Sequence, residues 1–348
     1  MDNGSSFEGT RAGASPPVSV IATVYNEGPA IDELVASLAQ QTRQPDEVVI
    51  VDGGSTDDTL ARLQRLATQG EVPLRVLSRP GSSISAGRNA AVAAARGPII
   101  AGVDAGVRID PHWLEQITAP FAAPHPPDVV SGFFVPDPRS TFEVALAAVT
   151  LPALRDVRPE RFLPSSRSVA YRKAAWQAVG GYPEWLDYCE DLIFDLRLQA
   201  AGYRFAFAPQ AVVAFRPRPR LGAFFRQYYR YARGDGKADL WRFRHAVRYG
   251  TYLLAAPALL LLTALASPWW ALGLLLGLAA MMRTPYRRLV SLWQPLPPTE
   301  RLRAALWAPL IRLTGDLAKM VGYPVGVVWR RRQGQRMEIY WRSVTRDA

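Results

Sequence analysis

The sequence contains a single cysteine, Cys189, among its 348 residues. One thiol excludes an internal disulfide framework and a zinc site built from several cysteines, and such scarcity is typical of a reducing compartment. No histidine lies near Cys189 in the sequence, so a cysteine–histidine nucleophile has no support there. The expected role of Cys189 is that of a buried, structural side chain.

The beginning of the sequence lacks the pattern of a secretory signal peptide. Residues 1–16, MDNGSSFEGTRAGASP, have neither a basic-then-apolar order nor apolar periodicity. We therefore predict a flexible N-terminal tail over 1–16 and do not expect export by that route.

Acidic residues are outnumbered by basic ones, 30 to 41, which gives a net charge of +11. The arginines crowd after residue 215, a distribution that suits nucleic acid, anionic lipid or a phosphorylated substrate. Residues 249–282 carry no charge at all, and a soluble nucleic-acid-binding domain has no need of such a segment. The sequence therefore favours membrane lipid and phosphorylated substrates and argues against nucleic acid.

The uncharged segment divides into two apolar halves, 249–266 and 268–282, joined at SPWW. At about 1.5 Å per residue each half is marginal to adequate as a membrane span, so 249–282 is predicted to be a transmembrane hairpin. Arginines flank both ends, and the positive-inside rule then puts both ends and the domain that precedes the segment in the cytoplasm, at the inner or plasma membrane. The alternative is a buried helical hairpin of a soluble protein.

A third apolar segment, 304–329, is interrupted by Arg312, Asp316 and Lys319, whose spacing puts them on one helical face. This pattern predicts an amphipathic helix lying along the membrane surface, within a basic region spanning 283–348. The alternative is a third membrane crossing.

Strand-like and helix-like segments alternate from residue 18 onward. Short β-branched runs such as VSVIATV and EVVIVD are followed by segments with helical spacing, near 58–68 and 84–95. This order predicts an α/β fold with a mostly parallel sheet covered by helices. Asp110, followed by Pro111, is predicted to open a helix as its N-cap.

Polar loops follow the predicted strands, at the edge where ligands bind in such sheets. Asp52 and Asp104 each come directly after a strand. The loops do not match two familiar nucleotide motifs: GSSISAGR fails the phosphate-loop pattern, and no GxGxxG follows the first strand. A dinucleotide-dependent oxidoreductase is therefore disfavoured.

Four stretches of the sequence are VSVIATVYNEG, QTRQPDEVVIVDGGSTDDT, GRNAAVAAARGPIIAGVDAG and GGYPEWLDYCEDLIFDLRLQAAGYRF. In this order and at these separations they resemble the family 2 glycosyltransferases, which have the GT-A fold. The resemblance covers about residues 18–235. It implies inverting transfer of a sugar from a nucleotide-diphospho-sugar to an acceptor hydroxyl.

The resemblance also implies a division of the chain. A glycosyltransferase domain over 17–235 would consist of a nucleotide-sugar-binding half, 17–110, and an acceptor half, 111–235. A basic linker, 236–248, would join it to the hairpin. The hairpin suggests a lipid-linked acceptor or another glycan acceptor, in the synthesis of a polysaccharide of the cell envelope.

The residues that the resemblance assigns to the nucleotide-sugar come from four segments. The nucleobase pocket would use Asp52 and the backbone around Thr23, Tyr25 and Glu27, and the diphosphate would contact Arg88, Asn89, Gln227 and Arg230. The last two belong to QYYRYARG, which resembles the family's Q-x-x-R-W element but has Tyr231 in place of tryptophan. This departure gives no support to processive polymerisation.

The family's DxD metal motif aligns with Asp104, Ala105 and Gly106, so the second aspartate is missing. The resemblance still implies a divalent metal, Mg²⁺ or Mn²⁺, bound by Asp104, because such ions take one or two carboxylates together with phosphate oxygens and water.

The family's catalytic ED pair aligns with Glu190 and Asp191. Asp191 is the predicted general base, and Glu190 either holds the acceptor or caps the helix; Arg167 and Ser168 would lie on the acceptor side. A structural interpretation of the same stretch is a capping box, because Asp187 and Glu190 have its three-residue spacing.

Two other functions remain as alternatives. A sugar-phosphate nucleotidyltransferase would be expected to carry a basic residue in the loop after the first strand, where this chain has YNEGPA. The missing second DxD aspartate also allows a non-catalytic, membrane-attached protein that only binds nucleotide-sugar.

Overall fold

The computed structural model of the chain describes residues 16–333. The tail predicted for 1–16 lies outside the described residues except for Pro16, as does the part of the basic C-terminal region from 334 to 348. Eight strands form one sheet: β1 Val18–Val24, β2 Glu47–Asp52, β3 Leu74–Ser78, β4 Ile99–Gly102, β5 Val107–Ile109, β6 Val129–Pro136, β7 Val169–Arg172 and β8 Phe205–Phe215.

Helices connect and cover these strands, apart from a few short 3₁₀ turns. They are α1 Ala30–Ala39, α2 Thr59–Gln69, α3 Ile84–Ala94, α4 Trp113–Thr118, α5 Thr141–Thr150, α6 Lys173–Ala178, α7 Glu190–Ala200, α8 Leu221–Lys237, α9 Arg242–Tyr249, α10 Ala256–Leu265, α11 Ala271–Leu292 and α12 Pro298–Gln333.

The sheet order is β3-β2-β1-β4-β7-β6-β8-β5. Strands β1 to β4 are parallel and are linked through α1, α2 and α3, as the alternating sequence pattern predicts. The second half departs from that pattern, because β7 runs antiparallel to both β4 and β6, and β5 runs antiparallel to β8. The complete sheet is therefore mixed.

The sheet is the middle of three layers, with an apolar core on each face. One core contains Leu34 and Leu38 from α1 and Trp113 from α4. The other contains Val92 from α3 and Phe194 from α7. Because α3 and α7 share a face, their N-terminal ends meet at the same edge of the sheet, where the parallel strands end.

The predicted helix start at Asp110 was placed two residues too early. Helix α4 begins at Trp113, and Asp110 Oδ1 instead accepts a hydrogen bond from the His112 amide, 2.9 Å away. The segment predicted as a basic linker, 236–248, is also largely helical: α8 extends to Lys237 and α9 begins at Arg242.

The uncharged segment forms a helical hairpin. A continuous helix from Arg242 to Leu265, with a π-helical turn at Gly250–Ala255, is followed by a turn in which Ser267 caps Trp269, and then by α11. Within the described residues, Arg242–Leu265 is the one helix long and apolar enough to cross a membrane. The apolar part of α11, 271–282, amounts to about 18 Å of helix, so its length alone does not span a bilayer.

Helix α12 packs along α8 through glycine contacts. A β-carbon on Gly322 would overlap the carbonyl oxygen of Tyr229, and one on Gly326 would overlap the carbonyl oxygen of Arg233. Two helix backbones can approach this closely only where side chains are missing. Helix α11, which precedes α12 in the chain, packs against α5.

The three charged residues in the middle of α12, Arg312, Asp316 and Lys319, face α5 and α8 and not the solvent side expected for a surface helix. Asp316 is buried, and its carboxylate accepts hydrogen bonds from Arg248, Arg312 and the Tyr252 hydroxyl at 2.8, 3.0 and 3.0 Å. The exposed face of the helix is instead an apolar stripe, formed by Leu302, Leu306, Leu310, Leu313, Leu317, Val321, Val325 and Val328.

Candidate active site

Two cavities lie at the edge where the parallel strands end. The smaller, about 520 Å³, includes Thr23, Glu27 and Gly106 in its wall, and the larger, about 750 Å³, includes Arg88 and Asp191. They share part of their walls and so form one continuous site. The shared residues are Ile84, Asp104, Arg167, Arg218, Gln227, Tyr228 and Tyr231.

Arg88 joins the two sides of this site. Its side chain is buried in α3; one guanidinium nitrogen donates to Asp104 Oδ1 at 2.9 Å and the other donates to Glu190 Oε1 at 2.6 Å. The pairing of a buried guanidinium with two carboxylates keeps each charge compensated. The loop after β4 and the start of α7 are thereby held together through one side chain.

Arg167 lies on the other side of Asp104. Its Nε is 3.9 Å from Asp104 Oδ2, and its guanidinium is 4.5 Å from the centre of the Phe215 ring. Stacking on an aromatic ring fixes a guanidinium plane without neutralising its charge. Arg167 is therefore positioned to bind an anion in the cavity.

The ED pair begins α7 and does not form the capping box. Asp187 instead pairs with Arg233 and with Lys237 Nζ, the latter at 2.6 Å, and no side chain caps the helix. Cys189, the residue before the helix, has a positive φ of 67°. Residues other than glycine seldom adopt this conformation, which here turns the chain so that Glu190 and Asp191 enter the cavity wall.

The two carboxylates of the pair differ in their surroundings. Burial and the neighbouring Asp191 raise the pKa of Glu190 to about 7, against the opposing effect of Arg88. Glu190 is buried, with 7% of its surface exposed, and its carboxylate already accepts a hydrogen bond from Arg88. Asp191 is more exposed, and its carboxylate accepts a hydrogen bond from the Leu192 amide at 2.8 Å. Geometry therefore favours Asp191 as the group able to meet a substrate hydroxyl.

The Q-x-x-R-Y element of α8 is divided between the cavity and the outer surface. Gln227 Nε2 donates to the Tyr231 hydroxyl at 2.8 Å, and both side chains line the two cavities. Arg230 is exposed, donates to the Tyr188 hydroxyl at 2.9 Å and lies outside both cavity walls. The structure therefore does not bring Arg230 into the cavity wall that Gln227 and Tyr231 share.

The predicted nucleobase residues lie around two linked loops. The Asn26 amide donates to Ser55 Oγ at 2.9 Å, which ties the loop after β1 to the loop after β2. Asp52 is fully buried, and its carboxylate accepts from Gly54 and Ser55. Tyr25 is 59% exposed at the rim.

Glu27 lines the smaller cavity near Asp104. Burial and the charges of Asp104 and Asp57 raise the pKa of Glu27. Thr23, at the end of β1, lines the same cavity beneath Gly87, where a β-carbon would lie 2.9 Å from the threonine methyl group. Both residues therefore belong to the wall that faces Asp104.

Two of the predicted contact residues, Asn89 and Ser168, make hydrogen bonds within the protein. Asn89 binds Trp176 and the backbone of Tyr182 through its side-chain amide and lies outside both cavities. Ser168 Oγ accepts from Trp113 Nε1 at 2.8 Å and donates to the Ala211 carbonyl at 3.0 Å. In each case the polar atoms are engaged by other protein groups, and neither side chain lines the two joined cavities.

Sequence reasoning missed several residues of the site. Ser166 Oγ is buried in the wall of the larger cavity and has no partner within residues 16–333. Arg218 lines both cavities, and Lys319 reaches the larger one from α12. The arginine-rich composition after residue 215 was the available signal, but it does not indicate which cations face inward.

Cys189 is the structural thiol that the sequence predicts. Burial, reinforced by the carboxylates of Asp235 and Asp191, raises the pKa of the Cys189 thiol well above its usual range. The sulfur is 3.4 Å from the Tyr231 carbonyl oxygen. A thiol that resists ionisation is a poor nucleophile.

Asp104 offers a single carboxylate to a metal ion. Within residues 16–333, no three His, Cys, Asp or Glu side chains form a group able to hold one by themselves. The Asp104 side chain is 34% exposed, and its Oδ2 has no hydrogen bond within the described chain. Its donor atom therefore fits a hard cation that takes its remaining ligands from phosphate and water.

Comparison with known proteins gives two family matches. A family described as glycosyl transferase family 2 matches residues 19–176, and one described as glycosyl transferase family group 2 matches residues 100–293. The second match covers more than half of the chain and includes α7, α8 and the helical hairpin.

Several curated proteins are similar in sequence. The succinoglycan biosynthesis protein ExoA of Rhizobium meliloti is 32% identical over 63% of this chain and 68% of its own length. The O-antigen chain rhamnosyltransferase WbaN of Salmonella anatum is 25% identical over 60% of this chain and 70% of its own.

A solved structure has a similar fold. The mannosyltransferase PcManGT from Pyrobaculum calidifontis, in complex with GDP-Man and Mn²⁺, matches with a TM-score of 0.54 and 21% identity. The match covers 93% of this chain and 89% of that one. The mixed sheet and its covering helices are therefore those of the GT-A fold.

Proposed function

Because this chain belongs to the family 2 glycosyltransferases, we propose that it transfers a sugar from a nucleoside-diphospho-sugar to an acceptor hydroxyl with inversion at the anomeric carbon. The observation that carries this proposal is the single continuous site in which Asp191 and the arginines around Asp104 line the same wall. That site holds a candidate base and candidate phosphate-binding groups together.

The donor occupies the smaller cavity in this proposal. Thr23 and Glu27 line its nucleotide end, and Arg167 and Arg218 lie where it joins the larger cavity. Guanidinium groups bind phosphate oxygens through charge-assisted hydrogen bonds. The diphosphate would therefore lie beside Asp104, with the sugar directed toward Asp191.

Transfer then needs one proton acceptor and a stabilised leaving group. Asp191 takes the proton of the acceptor hydroxyl while the hydroxyl oxygen bonds to the anomeric carbon. The bond from that carbon to the diphosphate oxygen breaks. The nucleoside diphosphate leaves with the bonding electrons, and Arg167 and Arg218 stabilise its charge. A divalent cation held by Asp104 would supply further compensation of that charge.

We predict that Asp104→Asn weakens the binding of nucleoside diphosphate and the response to Mn²⁺ together. The amide keeps the shape of the carboxylate but loses its charge, so a cation has no anionic protein ligand. Calorimetric titration of GDP and UDP into the full-length protein, with and without Mn²⁺, measures both effects. We expect Mn²⁺ to tighten binding to the natural chain by about tenfold or more and to have little effect on the variant.

Asp137→Asn is the matched control, because Asp137 is an acidic surface residue outside both cavities. It should bind the nucleotide and respond to Mn²⁺ as the natural chain does. Unchanged binding in Asp104→Asn with metal present would make Asp104 a structural residue. No binding of any nucleoside diphosphate by the natural chain would refute the proposed donor.

The proposed acceptor is a glycan carried on a lipid. The apolar helix Arg242–Leu265 and the exposed stripe of α12 give the domain two surfaces suited to a bilayer. Two relatives are named for succinoglycan biosynthesis and for the O-antigen chain. We propose that this chain contributes to a cell-surface polysaccharide, at the inner membrane and with its catalytic domain in the cytoplasm.

The hairpin is expected to enter the membrane and return to the same side. Arg248 and Arg283 flank its two uncharged arms, and export of either flank would oppose the positive-inside bias. Helix α12 packs along α8 and would lie against the inner surface through its apolar stripe. A tag added after Ala348 should therefore be inaccessible to a membrane-impermeant reagent in intact cells.

The same tag should be labelled once the cells are permeabilised. Labelling in intact cells would mean an odd number of crossings and would overturn this topology.

The two alternative functions are less well supported. Both family matches are to glycosyltransferases, and the two relatives reported above are named for polysaccharide synthesis and for sugar transfer. The missing second DxD aspartate remains compatible with a purely binding role, and a nucleotidyltransferase has no specific observation in its favour.

A further inference from the structure

The larger cavity continues past Asp191 to the point where the chain leaves the catalytic domain. At this end its wall consists of Trp241, Arg244, His245 and Arg248, joined by Lys319 from α12. Three of these residues belong to α9, the first part of the apolar helix Arg242–Leu265. These residues form a basic end of the larger cavity, and this basic end adjoins the apolar helix Arg242–Leu265.

Two of the cations at this end have no carboxylate within ion-pair distance among residues 16–333. The Arg244 guanidinium lies 4.1 Å from the centre of the Trp241 ring, and Lys319 Nζ lies 4.8 Å from that of Tyr228. An aromatic ring compensates a positive charge only partly. Burial, with the nearby charge of Arg248, lowers the pKa of Lys319 to about 8.

The neighbouring acidic groups are already engaged. Asp316 binds Arg248 and Arg312, and Asp235 Oδ2 is 3.1 Å from His245 Nε2. The His245 ring also stacks on Tyr323, 3.8 Å between centres. These contacts fix the wall and leave Arg244 and Lys319 as its uncompensated charges.

We propose that the basic end of the cavity binds the phosphate or diphosphate group of a lipid-linked acceptor, chiefly through Arg244 and Lys319. Ammonium and guanidinium groups bind phosphate oxygens strongly when partly removed from water. The lipid would leave along the adjoining apolar helix while the sugar extends through the cavity to Asp191. The inference rests on the proposed glycosyltransferase function, because it places the acceptor of that reaction.

The test uses farnesyl diphosphate as the probe, titrated into the full-length protein in detergent. Saturating nucleoside diphosphate is added first, so that the probe cannot report on the donor site. We expect the natural chain to bind it, and we expect Lys319→Gln and Arg244→Gln each to weaken binding by about tenfold. Lys319→Arg, which keeps the charge, should restore affinity to within about threefold.

Arg331→Gln is the matched control, because Arg331 is an exposed cation of the same helix and lies outside the cavity. Its affinity should be unchanged. An equal loss in Arg331→Gln and Lys319→Gln would show general attraction to charge and would overturn the site. Unchanged affinity in both Lys319→Gln and Arg244→Gln would also overturn it.

Two further ligands distinguish the source of the phosphate. Farnesol lacks the charge and inorganic pyrophosphate lacks the lipid, so each should bind at least about tenfold more weakly than farnesyl diphosphate. Farnesol that binds equally well would overturn the phosphate contact, and pyrophosphate that binds equally well would overturn the lipid-linked assignment. Absent binding of farnesyl diphosphate overturns this inference alone, whereas absent binding of nucleoside diphosphate also overturns the proposed function.

Discussion

Asp191→Asn should reduce sugar transfer by about a hundredfold or more while leaving nucleoside diphosphate binding nearly intact. The amide has the shape of the carboxylate but cannot take the proton of the acceptor hydroxyl. No ion pair anchors Asp191 within the described chain, so the substitution removes no structural contact of that kind. The measurement is transfer of labelled sugar from its nucleotide donor into membrane lipid extracts, beside a binding titration of the diphosphate.

Asp195→Asn is the matched control for this experiment. Asp195 lies one turn further along α7, is 2% exposed and lines neither cavity. Burial, with the nearby charge of Asp191, raises the pKa of Asp195 well above its usual range, and asparagine places an uncharged side chain of the same shape in surroundings that disfavour a charge. Transfer should stay within about threefold of the natural rate. Full activity in Asp191→Asn would remove Asp191 as the base, and an equal loss in both variants would indicate a disturbed helix.

Gly326→Ala should destabilise the protein by about 3 kcal/mol, because a single methyl group is forced between two helix backbones. The new β-carbon would overlap the Arg233 carbonyl oxygen and lie 2.7 Å from the Lys237 nitrogen. Neither backbone atom can rotate away, so α12 must separate from α8. Thermal unfolding of the detergent-solubilised chain should show a midpoint lowered by roughly 6 °C or more.

Gly277→Ala is the same substitution in α11, where nothing lies within 4 Å of the added carbon. Alanine favours a helix over glycine by about 0.5–1 kcal/mol, so this variant should be unchanged or slightly more stable. A normal midpoint for Gly326→Ala would show that α12 is not seated on α8 as described. Equal losses in both variants would mean that detergent, and not helix contact, limits stability.

The first half of the fold was predictable from local pattern, because β1, β2 and β4 are short buried runs and each helix repeats its apolar residues at helical spacing. The mixed second half, with its distant strand pairs, was not. Strand β8 pairs with β6, about 75 residues earlier in the chain, through Val129 and Phe205, and no short-range pattern specifies so distant a partner. Helix boundaries differ from the prediction where two local signals compete. Asp110 precedes a proline, as a helix N-cap often does, but its carboxylate accepts from the His112 amide and α4 begins at Trp113.

The candidate site was predictable to the extent that the motif residues themselves line the cavity. Arg88, Asp104 and Asp191 lie in the wall of the larger cavity. Asn89 stands beside Arg88 in sequence, but on a helix neighbouring side chains point about 100° apart, and its amide faces Trp176. Lys319 lies far along the chain and reaches the cavity only because glycines bring α12 against α8.

The seating of α12 on α8 also sets an order of events during synthesis. Gly236 of α8 contacts Gly326 of α12, but the ribosome makes the second of these glycines about 90 residues after the first, a delay on the order of ten seconds. The apolar hairpin emerges within that interval. The wall that carries Gln227 and Tyr231 thus receives its backing helix only after the hairpin has been synthesised, so the candidate site is completed later than the segment that we propose enters the bilayer.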